Sequence, residues 1–499
     1  MDLGISSGAR SVIIIVFTLY TAVLFFYSLY SRKSMKSTAV DKYVNEYYTG
    51  GRGMGMLMIA MMVSAGVAGA GVFLGVPGYI YSLGSVWMLC CFWSTTMNFM
   101  VLGQVGKKTG IVARRIDAQS FVSLLMHRYN YNKVFGFLAA VVLLIFLGGF
   151  AVSTIVGGGR IFQVMTGQPY WVGLAIFTIL VIIAAVSGGV KGVATAIVIQ
   201  GIIMTISVVV LFLMGRNAAG PYGEVVKNLV DTQPEWFMPA WKPQMVFSFA
   251  FLWGFTTFTL PHVTMSALTY KNTKVLHNAI KVGLVIVFIW LVCLNMLCFP
   301  IKALFPELAV PDMGIPLLTV TVLPSWVAGL VLAGVCGAVQ SSVGGMIVAL
   351  SSCFVKDFYQ TLFQPKAKPE TLKKLSLIST VVISLIIFLF ALNPPALLAT
   401  LITYSTGGLT VAFTSTLLLG YYWKGANEYG AIAAIVTGIP LYLLIDKGVL
   451  PWSLGMNACI VATLISTIIM IIVSKVTPKT PYGIIATWFG ADYPEMENR

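Results

Sequence analysis

Long apolar runs recur from one end of this chain to the other, separated by short polar connections. A run of about 20 such residues crosses the hydrocarbon core of a bilayer as an α-helix. In lipid a spanning backbone must satisfy its own hydrogen bonds, which leaves helices and closed barrels as the available structures. Only 9% of the residues are charged and 58% are hydrophobic, whereas about a quarter are charged in soluble domains. The sequence therefore predicts an all-α polytopic membrane protein.

The apolar runs predict about thirteen transmembrane helices in a single transmembrane domain, residues 1–499. The predicted helices lie at 11–31, 54–82, 85–105, 134–165, 169–187, 191–215, 244–270, 275–300, 315–357, 373–392, 395–423, 428–445 and 452–474. Basic residues, and no small-residue cleavage site, follow the first run, which indicates a retained span and not a signal peptide. The stretch 315–357 is too long for one crossing, so a short helix is expected before it.

Lysine and arginine are concentrated in alternate connections, and this pattern predicts the orientation of the helices. Connections 31–53 and 106–133 carry five and six basic residues, and most later basic residues fall on the same side. The residues on the opposite side are Arg10, Arg160, Arg216, Lys227, Lys242, Lys302 and Lys447. We expect a multi-pass protein of the plasma (cytoplasmic) membrane with its N-terminus outside. The net charge of +15 then reflects a bilayer partner and not a nucleic acid.

One predicted span is rich in residues that disfavour a continuous helix. The stretch 54–84 carries five glycines between Gly66 and Gly78, together with Pro77. Glycine loses the most backbone entropy in a helix, and proline lacks the donor N–H. This span is therefore predicted to open part-way across the bilayer, as ion-binding helices of secondary transporters do. The alternative is a close helix–helix contact, because small residues also let two backbones approach.

A second span with the same character lies at 244–270, where three threonines stand between Gly254 and Pro261. If 11–31 is an additional N-terminal helix, then 54–82 and 244–270 are the first and sixth of the remaining helices. Two interrupted helices five apart are typical of an inverted five-plus-five repeat, the LeuT-like architecture. The predicted parts are a first repeat at 54–215, an inverted second repeat at 244–423 and two C-terminal helices at 428–474.

The acidic residues of this chain are expected in connections, at termini or at helix ends, and not in the middle of a span. Proton-coupled carriers place a carboxylate or a histidine relay inside the membrane, and His262 is the single histidine near a predicted interruption. A proton mechanism is therefore disfavoured. A transported cation would be held by neutral oxygen atoms, from hydroxyls and from carbonyls that an interruption releases.

The segment 332–359 offers such oxygen atoms. Ser341 and Ser342 lie three and four residues after Ala338, so these residues share one helix face. Their two hydroxyls and one carbonyl, with the carbonyls of Ala65 and Ala68 in the first interrupted span, would form a sodium site. The alternative is that this small-residue face serves close helix packing.

Other classes of protein are less compatible with the sequence. It contains no catalytic triad, metal-ligand cluster or phosphate-binding loop, which disfavours an enzyme. A membrane sensor is disfavoured because neither terminus offers room for a signalling domain. The seven cysteines lie in or beside apolar runs and are expected to be small buried hydrophobic residues.

These motifs together resemble the sodium:solute symporter family over nearly the whole chain. The resemblance is carried by GVFLGVPGYIYSLG (71–84), GKKTGIVARR (106–115), SGGVKGVATAIVIQ (187–200), LPHVTMSALTYKN (260–272), AVQSS (338–342), SSCFVKDFY (351–359) and LLGYYWKGAN (418–427). The segment GKKTGIVARR, and LPH followed by TYKNTKVLH, look most like the sodium/pantothenate symporters. The resemblance implies an inverted-repeat bundle whose first and sixth core helices are interrupted. It places the sodium ligands at Ala65, Ala68, Ala338, Ser341 and Ser342.

The resemblance also implies a midplane solute pocket between core helices 1, 3, 6 and 10. The matching candidates are Val72, Phe73, Trp253, Thr256, Thr257 and Tyr404. The chain departs from the family pattern at Ile197, where many members carry an Asp, at Val67, where some carry an Asp, and at Ser266, where pantothenate-like members often carry an Arg. The first two departures argue against a second sodium site built on carboxylates, and the third weakens the pantothenate assignment.

We therefore expect a sodium-coupled symporter that imports a small organic solute, such as the organic acid pantothenate, by alternating access. One alternative is a sodium-independent carrier or facilitator of the same fold, which Ile197 and Val67 favour. Another is a symporter for a different solute, such as a monocarboxylate, an amino acid or a sugar.

Overall fold

The computed structural model describes residues 7–36, 46–238, 242–394 and 397–490, and those ranges are helical with short connections. They contain no strand, and one isolated parallel bridge pairs Met54 with Tyr270. Nine helical stretches in these ranges are long and apolar enough to cross a membrane. The all-α polytopic class is confirmed, whereas the count of thirteen spans stays a prediction.

The first half of the chain begins with a long helix and continues with two segments that change helix type. Its α-helices are α1 Ser7–Lys36, α2 Met56–Ala70, α3 Val76–Leu83, α4 Trp87–Val101, α5 Lys107–Arg115, α6 Phe121–Arg128, α7 Lys133–Thr166, α8 Tyr170–Gly215, α9 Tyr222–Thr232 and α10 Pro234–Phe237. Turns of π-helix, Gly71–Gly75 and Leu102–Gly106, join α2 to α3 and α4 to α5.

The second half contains another segment of mixed helix type. Its α-helices are α11 Pro243–Gly254, α12 Pro261–Thr264, α13 Ser266–Thr269, α14 Thr273–Met296, α15 Cys298–Leu304, α16 Gly314–Val322, α17 Ser325–Ser352, α18 Pro369–Ala391, α19 Leu398–Tyr422, α20 Glu428–Asp446, α21 Ala458–Val476 and α22 Tyr482–Phe489. A 3-10 turn, Phe255–Thr259, separates α11 from α12, and π-helix Cys353–Phe363 continues α17. Helix α16 is the short helix predicted before the crossing.

Three predicted boundaries differ from the structure. The connection 106–133 contains two helices, α5 and α6, and Ser120 caps α6 through reciprocal hydrogen bonds with Ser123. The helical assignment of α8 continues through the predicted connection at 188–190, where the sequence has glycines but no proline. The last predicted span begins six residues late, at Ala458, because the Asn457 side chain accepts the Cys459 N–H and caps the helix there.

Helix α17 lies at the centre of the bundle, where it packs against α1, α2, α7 and α8. Within the protein, 88% of its most apolar stretch is buried, against 33% for α18, which lies at the outside of the bundle. Small residues make this central position possible. A Cβ at Gly334 would lie 2.5 Å from the Ser207 hydroxyl oxygen, and one at Gly337 would lie 2.2 Å from that of Tyr20. All seven cysteines are buried and unpaired, as expected.

Candidate ion and solute site

The first interrupted span, Met56–Leu83, departs from helical geometry at Gly69. Its dihedral angles there are φ −19° and ψ −148°, whereas a regular α-helix has φ near about −63° and ψ near about −42°. The π-turn follows two residues later. A Cβ at Gly69 would lie 2.5 Å from the Ser342 hydroxyl oxygen, so this close approach to α17 requires glycine.

Carbonyl oxygens just before Gly69 bond to groups outside the regular helix pattern. The Ser342 hydroxyl donates to the Ala65 carbonyl oxygen at 2.6 Å. The Gly66 carbonyl oxygen accepts from His262 Nε2 at 3.2 Å. The Ala68 carbonyl accepts from the Gly71 N–H, which is three residues further along the chain. In a regular α-helix the donor is four residues further along. The span therefore presents main-chain oxygens to α17 and to the second interrupted segment.

A small cavity of about 30 Å³ lies at this contact. Ser341 and Ser342 both line it and are 5% and 2% exposed. Ser342 meets Ala65 directly, and Ala68 is buried in the same span. Ala338 lies one turn earlier on α17, but its side chain falls outside the described residues. The structure thus brings Ala65, Ser341 and Ser342 to one place.

Ile197 also lines this small cavity, beside His262. The resemblance described above implied a carboxylate at this position in many members, and in this chain the side chain is apolar. Among the described residues that line the cavity, the polar side chains are the two serines and His262. Neutral oxygen atoms of this kind suit a sodium ion, which transporter sites hold with carbonyls of unwound backbone.

A second cavity, of about 80 Å³, lies beyond the interruption. Val67 and Gly71 line this cavity, whereas Gly66 lines the smaller one. Its full lining is Val67, Gly71, Val72, Val76, Cys91, Ser94, Thr95, Asn98, Phe150, Leu252, Trp253, Thr257, Leu260, Leu291, Ala399, Ile402 and Thr406. We call it the solute cavity. Adjacent residues of the first interrupted span therefore border the two cavities.

The solute cavity contains some of the predicted pocket residues and not others. Val72, Trp253 and Thr257 line it. Phe73 is fully buried on another face and packs against Trp290, with ring centroids 5.6 Å apart, because successive helical residues point in different directions.

Of the two remaining predicted residues, Tyr404 lies outside the lining. The Tyr404 ring packs between Phe146 and Tyr442, at centroid distances of 5.8 and 5.9 Å, and does not line the cavity. Neighbouring α19 residues, Ile402 and Thr406, line it instead. The side chain of Thr256 lies outside the described residues.

Sequence reasoning missed the polar residues that α4 brings to the solute cavity. Asn98 is 4% exposed, and its Oδ1 has no hydrogen-bond partner among the described residues. Trp253 Nε1, in the same lining, likewise lacks a partner. A buried polar atom without a partner is costly, so this acceptor and this donor fit a ligand with complementary groups. The sequence did contain a signal for Asn98, because a polar amide inside a predicted membrane span, here 85–105, often marks a functional site.

A buried ion pair closes one side of this region. Arg160 of α7 donates to Asp312, and the Leu398 N–H at the start of α19 donates to the same carboxylate oxygen at 2.8 Å. The two charged residues are 4% and 1% exposed. Burial raises the pKa of the Asp312 carboxyl above its ordinary value, against the opposing effect of Arg160. Ala399, the next residue of α19, lines the solute cavity. The ion pair therefore holds the first turn of α19 beside that cavity.

Known proteins share both the sequence and the fold of this chain. Residues 47–438 match the sodium:solute symporter family. The sodium/pantothenate symporter of Escherichia coli is 30% identical over 481 residues, which cover 95% of this chain and 99% of the relative. The sodium/pantothenate symporter of Haemophilus influenzae is 31% identical over 424 residues, which cover 83% of this chain and 86% of the relative.

A solved structure extends the likeness to the fold. The substrate-bound, outward-open structure of a Na+-coupled sialic acid symporter superposes with a TM-score of 0.78 at 20% identity, covering 94% of this chain and 99% of that one. At this identity the likeness concerns the arrangement of helices. Together with the match over residues 47–438, it leads to one conclusion: the chain belongs to the sodium:solute symporter family.

Proposed function

We propose that this protein imports a small organic solute together with sodium by alternating access. The observation that carries the proposal is the contact between the Ser342 hydroxyl and the Ala65 carbonyl oxygen, 2.6 Å apart beside the Gly69 interruption. Two oxygen atoms this close can contact one cation once the hydroxyl hydrogen turns away. The remaining ligands are the carbonyls of Ala68 and Ala338 and the Ser341 hydroxyl.

The proposed architecture follows from the two interrupted segments. Met56–Leu83 is the first helix of an inverted five-plus-five repeat, and the second interrupted segment, Pro243–Thr269, is the sixth. The repeats occupy 54–215 and 244–423, after an N-terminal helix and before two C-terminal ones. The departure at Gly69 and the 3-10 turn at Phe255–Thr259 support this assignment. The lysine and arginine pattern supports a plasma-membrane protein whose N-terminus is outside.

Pantothenate is the first solute to test. Two relatives are named for it, at 30% and 31% identity. It combines a carboxylate with hydroxyls and an amide, and the solute cavity offers Asn98, Trp253 and several hydroxyls. No charged side chain occurs among the described residues of that lining. A carboxylate would therefore be held by neutral donors and helix N-termini.

A second candidate function is a facilitator of the same fold, and Ile197 in the small cavity favours it. Uptake of radioactive pantothenate into proteoliposomes separates the two. We predict accumulation above the equilibrium level with an inward sodium gradient, and its loss when potassium replaces sodium or an ionophore collapses the gradient. Protein-free liposomes are the control. Equilibration at the same rate in both salts would identify a facilitator and refute coupling.

Asn98 provides the test of the solute cavity. We predict that Asn98→Leu raises the half-saturating solute concentration about tenfold, because a hydrogen bond at a buried site is worth about 1 kcal/mol or more. Measured at saturating solute, the half-saturating sodium concentration is expected to stay within about twofold of wild type, because the residue lines the other cavity.

Thr96→Val is the matched control, because Thr96 lies on the exposed face of the same helix and its hydroxyl donates to the Phe92 carbonyl of that helix. Both variants are assayed as initial rates over a range of solute concentrations. Unchanged solute affinity in Asn98→Leu would remove this residue from the site.

A further inference from the structure

One side-chain hydrogen bond joins the two interrupted segments next to the proposed sodium ligands. His262, in α12, lies 3.2 Å through Nε2 from the Gly66 carbonyl oxygen. A carbonyl oxygen only accepts, so Nε2 carries the proton and donates it. Ala65, the residue before Gly66, accepts from Ser342. Adjacent carbonyls of the first span are therefore bonded to α17 and to the second interrupted segment.

The packing around this bond leaves little freedom. A Cβ at Gly66 would lie 2.9 Å from Val263 Cγ2, so glycine is required for this approach. The His262 ring is 8% exposed and packs edge-on against Phe150, with centroids 5.6 Å apart. The same two segments meet again at their other ends, where Met54 N–H donates to Thr269 O at 3.1 Å.

The residues just before His262 reach the other cavity. Thr257 and Leu260 line the solute cavity, and the Leu260 carbonyl accepts the Val263 N–H at 3.0 Å. His262 itself lines the small cavity with Ser341 and Ser342. One short segment therefore touches the proposed sodium site at one end and the proposed solute site at the other.

We propose that His262 is a positioning residue that transmits sodium binding to the solute cavity. The inference rests on the proposed sodium site. An ion that fixes the Ala65 and Ala68 carbonyls also fixes Gly66 between them. The hydrogen bond from His262 then holds the turn Phe255–Thr259 and its lining residues in place. Because such coupling is reciprocal, solute in the cavity favours sodium binding by the same factor.

Glutamine and methionine form a matched pair for the test, because they have similar length and shape while only glutamine carries a donor near the position of Nε2. The native Cys91 lines the solute cavity and is buried, so its modification requires opening of the cavity and reports that opening. Its rate of modification by N-ethylmaleimide is measured on purified protein while sodium chloride replaces potassium chloride. The part of the modification that is lost in Cys91→Ser is assigned to Cys91.

We predict that sodium changes the Cys91 modification rate in wild type and that His262→Gln keeps the sodium midpoint within about twofold. In His262→Met the midpoint is expected to rise about fivefold to tenfold, or the sodium effect on the rate to disappear, because one hydrogen bond is lost. Ser266→Ala is the control, since it removes a bond to Val263 within the same segment. If His262→Met does not fold, His262→Asn, whose amide is too short to reach Gly66, replaces it.

Equal behaviour of the glutamine and methionine variants would overturn the inference and leave the sodium site intact. Sodium-driven uptake without any sodium effect on Cys91 would overturn it as well, since sodium binding would not reach the cavity. Absence of both sodium-driven uptake and a sodium effect on Cys91 in wild type would instead refute the proposed function.

Discussion

Replacing both Ser341 and Ser342 with alanine is expected to raise the half-maximal sodium concentration for uptake about a hundredfold. Contacts of polar groups with a charge are worth about 1.5–3 kcal/mol each, so each hydroxyl accounts for about tenfold. Both serines are buried in the small cavity, where water does not replace the lost oxygens freely. The measurement is the initial rate of uptake into proteoliposomes over a range of sodium concentrations.

The control for this prediction is Ser352→Ala, the same change ten residues further along α17. The Ser352 hydroxyl is buried and has no hydrogen-bond partner among the described residues, so its removal should leave sodium dependence within about twofold of wild type. An unchanged sodium requirement in the double variant would show that these serines do not bind the ion.

The second large effect is expected at the buried ion pair. Asp312→Ala should lower the stability of the folded protein by about 3–5 kcal/mol, because it leaves the Arg160 charge buried without its carboxylate. It also removes the acceptor of the Leu398 N–H, 2.8 Å away. The measurement is the fraction of protein that remains monodisperse in detergent after heating, as a function of temperature.

Replacing both members of the pair separates a lost interaction from an uncompensated charge. Arg160→Met with Asp312→Leu is expected to recover most of the stability lost in Asp312→Ala, since apolar replacement of a buried pair is often close to neutral. Glu307→Ala, an exposed residue of the same connection, is the control. If Asp312→Ala melts like wild type, the pair does not hold this side of the bundle together.

The sequence was most informative where nearby residues determine the backbone conformation. The cluster of glycines in 54–84 predicted an interruption, and the departure from helical angles falls at Gly69. The spacing of Ser341 and Ser342 predicted a shared helix face, and both serines line one cavity. Apolar run lengths located most helices, because a bilayer imposes the same length on every span.

What the sequence did not reveal depends on contacts between distant segments. Arg160 and Asp312 are 152 residues apart, and neither run length nor charge pattern pairs them. Asn98 carried a signal, an amide in a span, but no spacing that connects it with Trp253. Phe73 was predicted to line the pocket together with Val72, but its ring packs against Trp290 instead, because adjacent helical residues face different directions.

Sodium binding by these uncharged oxygen atoms is measured most directly by equilibrium binding of radioactive sodium to purified protein in potassium chloride. We predict saturable binding by wild type and by Ser352→Ala, and loss of that binding in the Ser341→Ala, Ser342→Ala double variant. Equal sodium binding by the double variant and wild type would contradict a site built from the interrupted first span and the two serines of α17.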